Sequence, residues 1–255
     1  MELRSIAKNF LLFASSLRKD KGSKILFYHD VYSLNNYSAL DADIRMGTHI
    51  ELFKEHLNVI RQEGYEIVDE ITKPIGQVAI MFDDGFRGIY EVRDFFYSNR
   101  IHPTVFLAVG YIGNRVILSP DEIIELQDNG FRFECHTWSH KPLVAVKDDE
   151  LKKELYDSKE YLSRLLEKEV TQLCLPLGYY SSHLLDVIRG YGYNEIYSSV
   201  PGNYEEMVDG RLRARNLCQF SSPSALRMIL RGGNEILRTH YERLHNIDWK
   251  RKNTQ

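Results

Sequence analysis

Apolar residues fall along this chain in two alternating patterns: short uninterrupted blocks, and longer stretches where they recur every third or fourth position. Ile25 to Tyr28 and Val78 to Phe82 are of the first kind and read as strands, as do Thr104 to Val109, Phe131 to Cys135, Gln172 to Leu175 and Glu195 to Ser198, which include polar residues. Helix patterns lie between them. Ile50 to Gly64 carries the stripe Phe53, Leu57 and Ile60 and stops at glycine, and Ile89 to Ser98 gives a shorter one. Ser119-Pro120-Asp121-Glu122 opens a helix running to Gly130, with serine as cap, proline first and acids facing the dipole. Asp148 to Glu167 is long and charged, with Leu151, Leu155, Leu162 and Leu165 or Leu166 inside, and Ser182 to Gly190 is a further helix. Strands separated by helices imply βαβ units and a parallel sheet. The expected architecture is α/β: one barrel-like domain over residues 23–220, between an N-terminal helix at 1–22 and a helical tail at 221–255.

Composition narrows the partners. A chain of 255 residues buries a full core, and a net charge of −3 gives no polyelectrolyte signal, so nucleic acid is not an expected partner. Cys135, Cys174 and Cys218 are widely spaced and odd in number, which fits a reducing compartment better than a disulfide framework. Phe10 to Leu17 follows Arg4 and Lys8 as a faint echo of a signal peptide, but no small-residue cleavage site comes after it. Leu3, Ile6, Ala7, Phe10, Phe13, Ala14 and Leu17 instead keep helical spacing, which predicts a docked amphipathic helix and a cytoplasmic protein. No stretch is long enough to span a bilayer. The tail carries Arg227, Arg231, Arg238, Arg243, Lys250, Arg251 and Lys252, a solvated basic face or a contact site for a protein or an anionic membrane surface.

The strand Val78–Phe82 ends in Asp83-Asp84-Gly85, two carboxylates where a buried strand meets a loop. In parallel α/β folds function gathers at such strand ends. A second strand pattern ends in HTWSH, residues 136 to 140, and histidines at i and i+4 share one side of a helical turn. One aspartate with His136 and His140 makes three metal ligands and leaves a position open for water, the layout of a catalytic site. The other aspartate is then free to act as general base. Alone, Asp-Asp-Gly is usually a turn and a pair of histidines often a surface coincidence. Their joint occurrence after two apolar strands favours metal-dependent hydrolysis.

The segments ILFYHDV (25 to 31), FKEHLNVIRQEGYEIV (53 to 68), MFDDGF (81 to 86), HTWSH (136 to 140) and DDELKKELYDSKEYLSRLLEKEV (148 to 170) carry a resemblance over residues 25–218. The chain resembles the polysaccharide deacetylases of carbohydrate esterase family 4, which include chitin and peptidoglycan deacetylases. The resemblance implies a distorted (β/α) barrel. It makes Asp83 the base, and Asp84, His136 and His140 the ligands of a divalent cation, with zinc first and cobalt or manganese as alternatives. Met81 stands where threonine is usual. The third motif, usually Arg-x-Pro-aromatic-Gly, here reads CLPLG (174 to 178), with Cys174 for the arginine and Leu177 for the aromatic residue. The Leu177 N–H is expected to face the oxyanion, since a main-chain donor does not depend on its side chain. In the branch with a small residue at that position a later arginine contacts the base, and Arg215 is the best match, with Arg213 behind it. The last motif places a histidine after a leucine as general acid. His240 in LRTH is the candidate here, although Arg238 stands where leucine is expected, and His183 and His29 are alternatives. Trp138 and Tyr179 are candidates for stacking on a sugar.

The expected activity is hydrolysis of an acetamide, or an acetyl ester, on a sugar, glycan or glycan precursor. Two alternatives stay open: hydrolysis of another non-peptide C–N bond, and a catalytically silent domain that binds a glycan or a partner.

Overall fold

The structure, a computed structural model, describes residues 14, 16, 17, 19–33 and 46–253. The expected N-terminal helix lies almost wholly outside these residues. Among the described residues twelve strands occur in chain order: β1 (Lys24–Tyr28), β2 (Asp30–Tyr32), β3 (Gly47–His49), β4 (Glu66–Val68), β5 (Gln77–Phe82) and β6 (Thr104–Leu107). They continue with β7 (Arg132–Cys135), β8 (Gln172–Cys174), β9 (Glu195–Tyr197), β10 (Met207–Val208), β11 (Leu212–Arg213) and β12 (Asn216–Leu217). Ten of them form one sheet in the order β10-β11-β9-β8-β7-β6-β5-β1-β12, with β4 also paired to β5, while β2 and β3 pair apart. Every pairing in the large sheet is parallel except β10 with β11.

The sheet curls, and a short piece of chain shows how. β11 pairs with β9 and β12 pairs with β1, so these two strands sit near opposite ends of the strand order. Only Ala214 and Arg215 separate them in sequence. The Arg215 N–H donates to the Val200 carbonyl at 2.9 Å and the Cys218 N–H to the Phe27 carbonyl at 3.1 Å, fastening the crossing on both sides. The result is a distorted (β/α) barrel.

Strand residues alternate between its two faces. Ile25, Phe27, Ala79, Met81, Phe106 and Cys174 pack inside the barrel, while Leu26, Tyr28, Val78, Ile80 and Phe82 pack outward under the helices. Burial on both faces is why these strands read as uninterrupted apolar runs rather than alternating ones.

The helices match their patterns with two local changes. Ile50–Gln62 and Ser182–Gly190 are regular, and Pro120–Asp128 begins with a full capping box between Ser119 and Glu122. The stretch from Ile89 is broken at Val92 into Gly88–Glu91 and Arg93–Asn99. The long charged helix carries a π-helical turn at Lys153–Asp157. Among the described residues no helix is long and apolar enough to cross a membrane.

Beyond residue 220 the chain returns to the barrel. Leu226, Ile229 and Leu230 of the helix Pro223–Leu230 join the main core. Arg227 and Arg231 both pair with Glu63, and Arg238 pairs with Glu206 and Glu242. The helix Arg238–His245 is tied to the loop after β8, because Tyr180 N–H donates to the His245 carbonyl at 3.1 Å. Much of the basic face expected here is therefore engaged within the chain.

Candidate active site

The alternation of β5 dictates where Asp83 points. Ala79 and Met81 face the barrel interior, and two residues further on Asp83 falls on the same face. Its N–H continues the ladder to the Tyr28 carbonyl at 3.0 Å. Asp84 and Gly85 then take φ of 71° and 81° and turn the chain outward. A side chain at Gly85 would meet the Leu107 side chain at 2.5 Å, so both the turn and the close packing need glycine. Adjacent aspartates are thus sent to different places: Asp83 inside, Asp84 at the mouth.

Arg215 occupies the interior beneath them. Its Nη1 and Nη2 donate to Asp83 Oδ1 and Oδ2 at 2.7 and 2.8 Å, and its Nε donates to the Ser198 carbonyl at 2.9 Å. The guanidinium lies 4.2 Å from the Phe27 ring centroid, and Nη2 is 2.9 Å from Cys174 Sγ. Burial pushes the Asp83 carboxyl up, but Arg215, followed by His136 and His29, more than offsets this and holds it below the usual carboxylate range. The small Cys174 leaves room for the guanidinium, and burial pushes its thiol well above the usual value. Arg213, the other basic residue considered, pairs with Glu195 instead.

Asp84, His136 and His140 converge, with ligand atoms within 4.8 Å of one another. Asp84 Oδ1 lies 3.4 Å from His136 Nε2 and 3.0 Å from His140 Nε2. The tautomer of His136 is fixed, because Nδ1 is 2.8 Å from the Cys174 carbonyl and must donate to it. Neutral His136 therefore turns a lone pair, not a proton, toward Asp84. Asp84 Oδ1 is buried and has no hydrogen-bond partner. A His136 lone pair facing an unpartnered carboxylate oxygen in a buried corner is what a cation would bridge, so the set of Asp84, His136 and His140 fits a divalent metal. Burial raises the Asp84 carboxyl; only protonated imidazoles at His136 and His140 would pull it far below its ordinary value, and a cation held among the three side chains would exert the same pull.

The histidines are not brought together by a helical turn as expected. Residues 136–140 form a loop in which Thr137 and His140 have φ of 69° and 56°, and the rings stand 4.7 Å apart. Glu154, on the π-helical turn, holds this loop. Its Oε2 accepts from the N–H groups of Trp138 and Ser139 at 3.0 and 2.9 Å, and its Oε1 from the Ser139 hydroxyl at 2.6 Å. Nothing in the charged run around Glu154 marks it in the sequence; only the π turn and its burial do.

Leu177 also has a positive φ, 58°, and lines the cleft. No backbone carbonyl among the described residues takes its N–H. With Asp84, Thr137 and His140 it makes four of the eight described non-glycine residues at positive φ, so backbone strain is concentrated at this site.

A cleft of about 530 Å³ opens over these groups and is lined by Asp83, Asp84, His136, His140, Leu177 and Arg215, with His29 and His245 on its walls. Other candidates fall outside that lining. His240 is exposed and meets Tyr241 edge-on, and His183 is exposed. Trp138 packs against Tyr161 beneath Lys153, and Tyr179 packs against His245 beneath Lys250. His29 Nδ1 donates to Gln219 Oε1 at 2.5 Å and His245 Nδ1 to the Tyr241 carbonyl at 2.8 Å, leaving Nε2 of each ring for other work. His245 follows Leu244, a leucine–histidine pair five residues beyond the expected His240.

The profile of the polysaccharide deacetylase family matches residues 70–196. YxkH of Bacillus subtilis (strain 168), whose name places it among polysaccharide deacetylases, is 23% identical over 199 residues, covering 73% of this chain and 68% of that protein. Among solved structures, the Streptococcus pyogenes deacetylase PplD in complex with acetate superposes with a TM-score of 0.69 at 21% identity, covering 82% of this chain and 98% of that one. IcaB from Ammonifex degensii gives 0.69 at 18% identity, with 85% and 98% covered. At these identities the structural likeness is one of fold.

Proposed function

Residues 70–196 belong to the polysaccharide deacetylase family, and from that premise we propose that the protein is a metal-dependent hydrolase that removes an N-acetyl group from a sugar or glycan. The observation that carries this reading is the adjacency of two arrangements: a carboxylate ionised by a buried arginine, and an Asp–His–His set that converges beside an unpartnered buried carboxylate oxygen. The acetate in the Streptococcus pyogenes relative is the product such a reaction releases.

Asp84, His136 and His140 are the residues that would hold the cation. A divalent metal there supplies Lewis acidity, polarising the amide carbonyl and acidifying water. Asp83 takes the proton from the attacking water; Arg215 keeps it ionised and fixes its plane through the paired hydrogen bonds. The Leu177 N–H donates to the oxygen of the tetrahedral carbon. His29 returns a proton to the departing amine. It lines the cleft, its Nδ1 is anchored by Gln219, and its charge acts on both aspartates.

Acetate release from N-acetylglucosamine oligomers tests the reading. Activity should disappear with a chelator and return with zinc or cobalt. Metal-replete protein that releases no acetate from any acetylated sugar would end it.

A further inference from the structure

Sugar hydroxyls are held by side chains that give and take hydrogen bonds. Outside the groups assigned above to chemistry, the described wall of the cleft offers few of them: Ser199, Ser221, Asn234, Tyr241 and His245. The remainder is hydrocarbon or aromatic. Leu177, Leu217 and Phe220 are 57%, 41% and 65% exposed, and all three line this one cleft. Large apolar groups left in water beside a reactive centre mark a surface that an apolar ligand covers. Charge points the same way. Arg215 is the one lysine or arginine in the described lining, and Asp83 engages it, so no such side chain is left there for a carboxylate or phosphate.

We propose that the substrate is an amphipathic glycoside: an acetylated amino sugar seated at Asp83 and Asp84, whose aglycone is a hydrocarbon chain lying along Leu177, Leu217 and Phe220. This rests on the deacetylase reading and names its substrate class. The chain is placed on the aglycone rather than the acyl side because the apolar residues packed around the centre, Phe27 and Leu175, are 3% and 1% exposed and leave little surface for a long acyl group. The uncovered apolar area is the part open to solvent, where a chain can run outward.

The test compares methyl and octyl glycosides of N-acetylglucosamine, below the micellar concentration, with the full metal-loaded chain. The octyl compound should show a kcat/KM roughly tenfold higher, the gain that burying about two methylenes supplies. The variant Leu217→Ser/Phe220→Ser, both sites being exposed, should bring the ratio of the two substrates toward unity. The methyl glycoside of N-octanoylglucosamine should gain nothing over its N-acetyl counterpart. Equal rates for octyl and methyl glycosides, a preference that survives the double variant, or a gain confined to the N-octanoyl compound would each overturn the proposal. Calorimetric binding of the octyl glycoside to chelated protein keeps the two readings apart. Affinity that the double variant loses, without acetate release from any substrate, supports the apolar seat while the deacetylase reading fails. Acetate release with no octyl preference removes the seat and leaves the deacetylase.

Discussion

Arg215 and Asp83 face each other through two parallel hydrogen bonds of 2.7 and 2.8 Å, the arginine fully buried and the aspartate nearly so at the floor of the cleft. The arginine stands at the crossing between β11 and β12, so closing the barrel and orienting the base are one structural event. That coupling gives Arg215→Met two consequences. Asp83 would be left as an unpaired buried charge, and stability at neutral pH should fall by about 3–5 kcal/mol. The Asp83 carboxyl should also rise, since the largest force lowering it has gone. A carboxyl depressed in the fold stabilises above its unfolded pKa and loses that contribution as pH falls through the folded one. In the wild type this loss comes below the usual carboxylate range; in the variant Asp83 takes up its proton at higher pH, and the acidic limb of the pH–rate profile moves up with it. Adding Asp83→Asn should recover stability without activity. A wild-type acidic limb in Arg215→Met would show that Asp83 works without the arginine.

The division of labour between the two aspartates is open to direct measurement. Asp83→Asn should keep bound metal and lose acetate release by roughly 10² to 10⁴-fold. Asp84→Asn and His136→Ala should lose metal as well, because each removes a donor from the set that faces Asp84 Oδ1. Metal analysis of the purified variants decides it; equal metal loss in the Asp83 and Asp84 variants contradicts the assignment.

Much of this was legible because the barrel's strands are buried on both faces and its helices on one. Val78–Phe82 and Ser182–Gly190 could be read almost to the residue. The short strands β2, β3, β4, β10, β11 and β12, two or three residues each, carry no period, and Asn216–Leu217 gains its meaning only by lying beside β1. The same limit applied at the site. Asp83, Asp84, His136 and His140 sit in local motifs. The loop that joins the histidines depends on positive φ at Thr137 and His140, which no sequence period records. His29 and His245 meet the cleft from opposite ends of the chain, while His240, closer to the expected motif, lies on the exposed side of its helix.

Glu154 should prove a determinant of metal affinity although it is no ligand. Its carboxylate takes three hydrogen bonds from residues 138 and 139, between the two histidine ligands. Glu154→Gln keeps the size but replaces one accepting oxygen with a donor that opposes an N–H. Partners of this kind typically contribute about 10 to 100-fold in affinity, and a loss in that range is expected for zinc, with a matching change in the absorption spectrum of the cobalt-loaded protein. Unchanged affinity and spectrum would leave Glu154 a purely structural cap.

The proton donor to the leaving amine can be identified by which histidine controls the alkaline side of the profile. A general acid must carry its proton at the start of the step, so activity falls as pH rises through its pKa. Besides His136 and His140, two histidines line the cleft, His29 and His245, and their surroundings differ. His245 is stacked on Tyr241, burial holds it below the ordinary histidine range, and the nearby Lys250 adds to that effect, so it is poorly suited to being charged at neutral pH. His29 stands at the end of β1, neighbour to β5, and lines the cleft within electrostatic reach of both carboxylates. Its Nδ1 is committed to Gln219, which aims Nε2 as the donor. His29→Ala should therefore lower kcat by roughly 10² to 10⁴-fold and flatten the basic limb while metal content stays intact. His240→Ala should behave as wild type, and Gln219→Ala should fall between them because it frees the ring without removing it. If the basic limb disappears in His245→Ala and survives in His29→Ala, the assignment reverses, and the leucine–histidine pair at 244 and 245 supplies the acid.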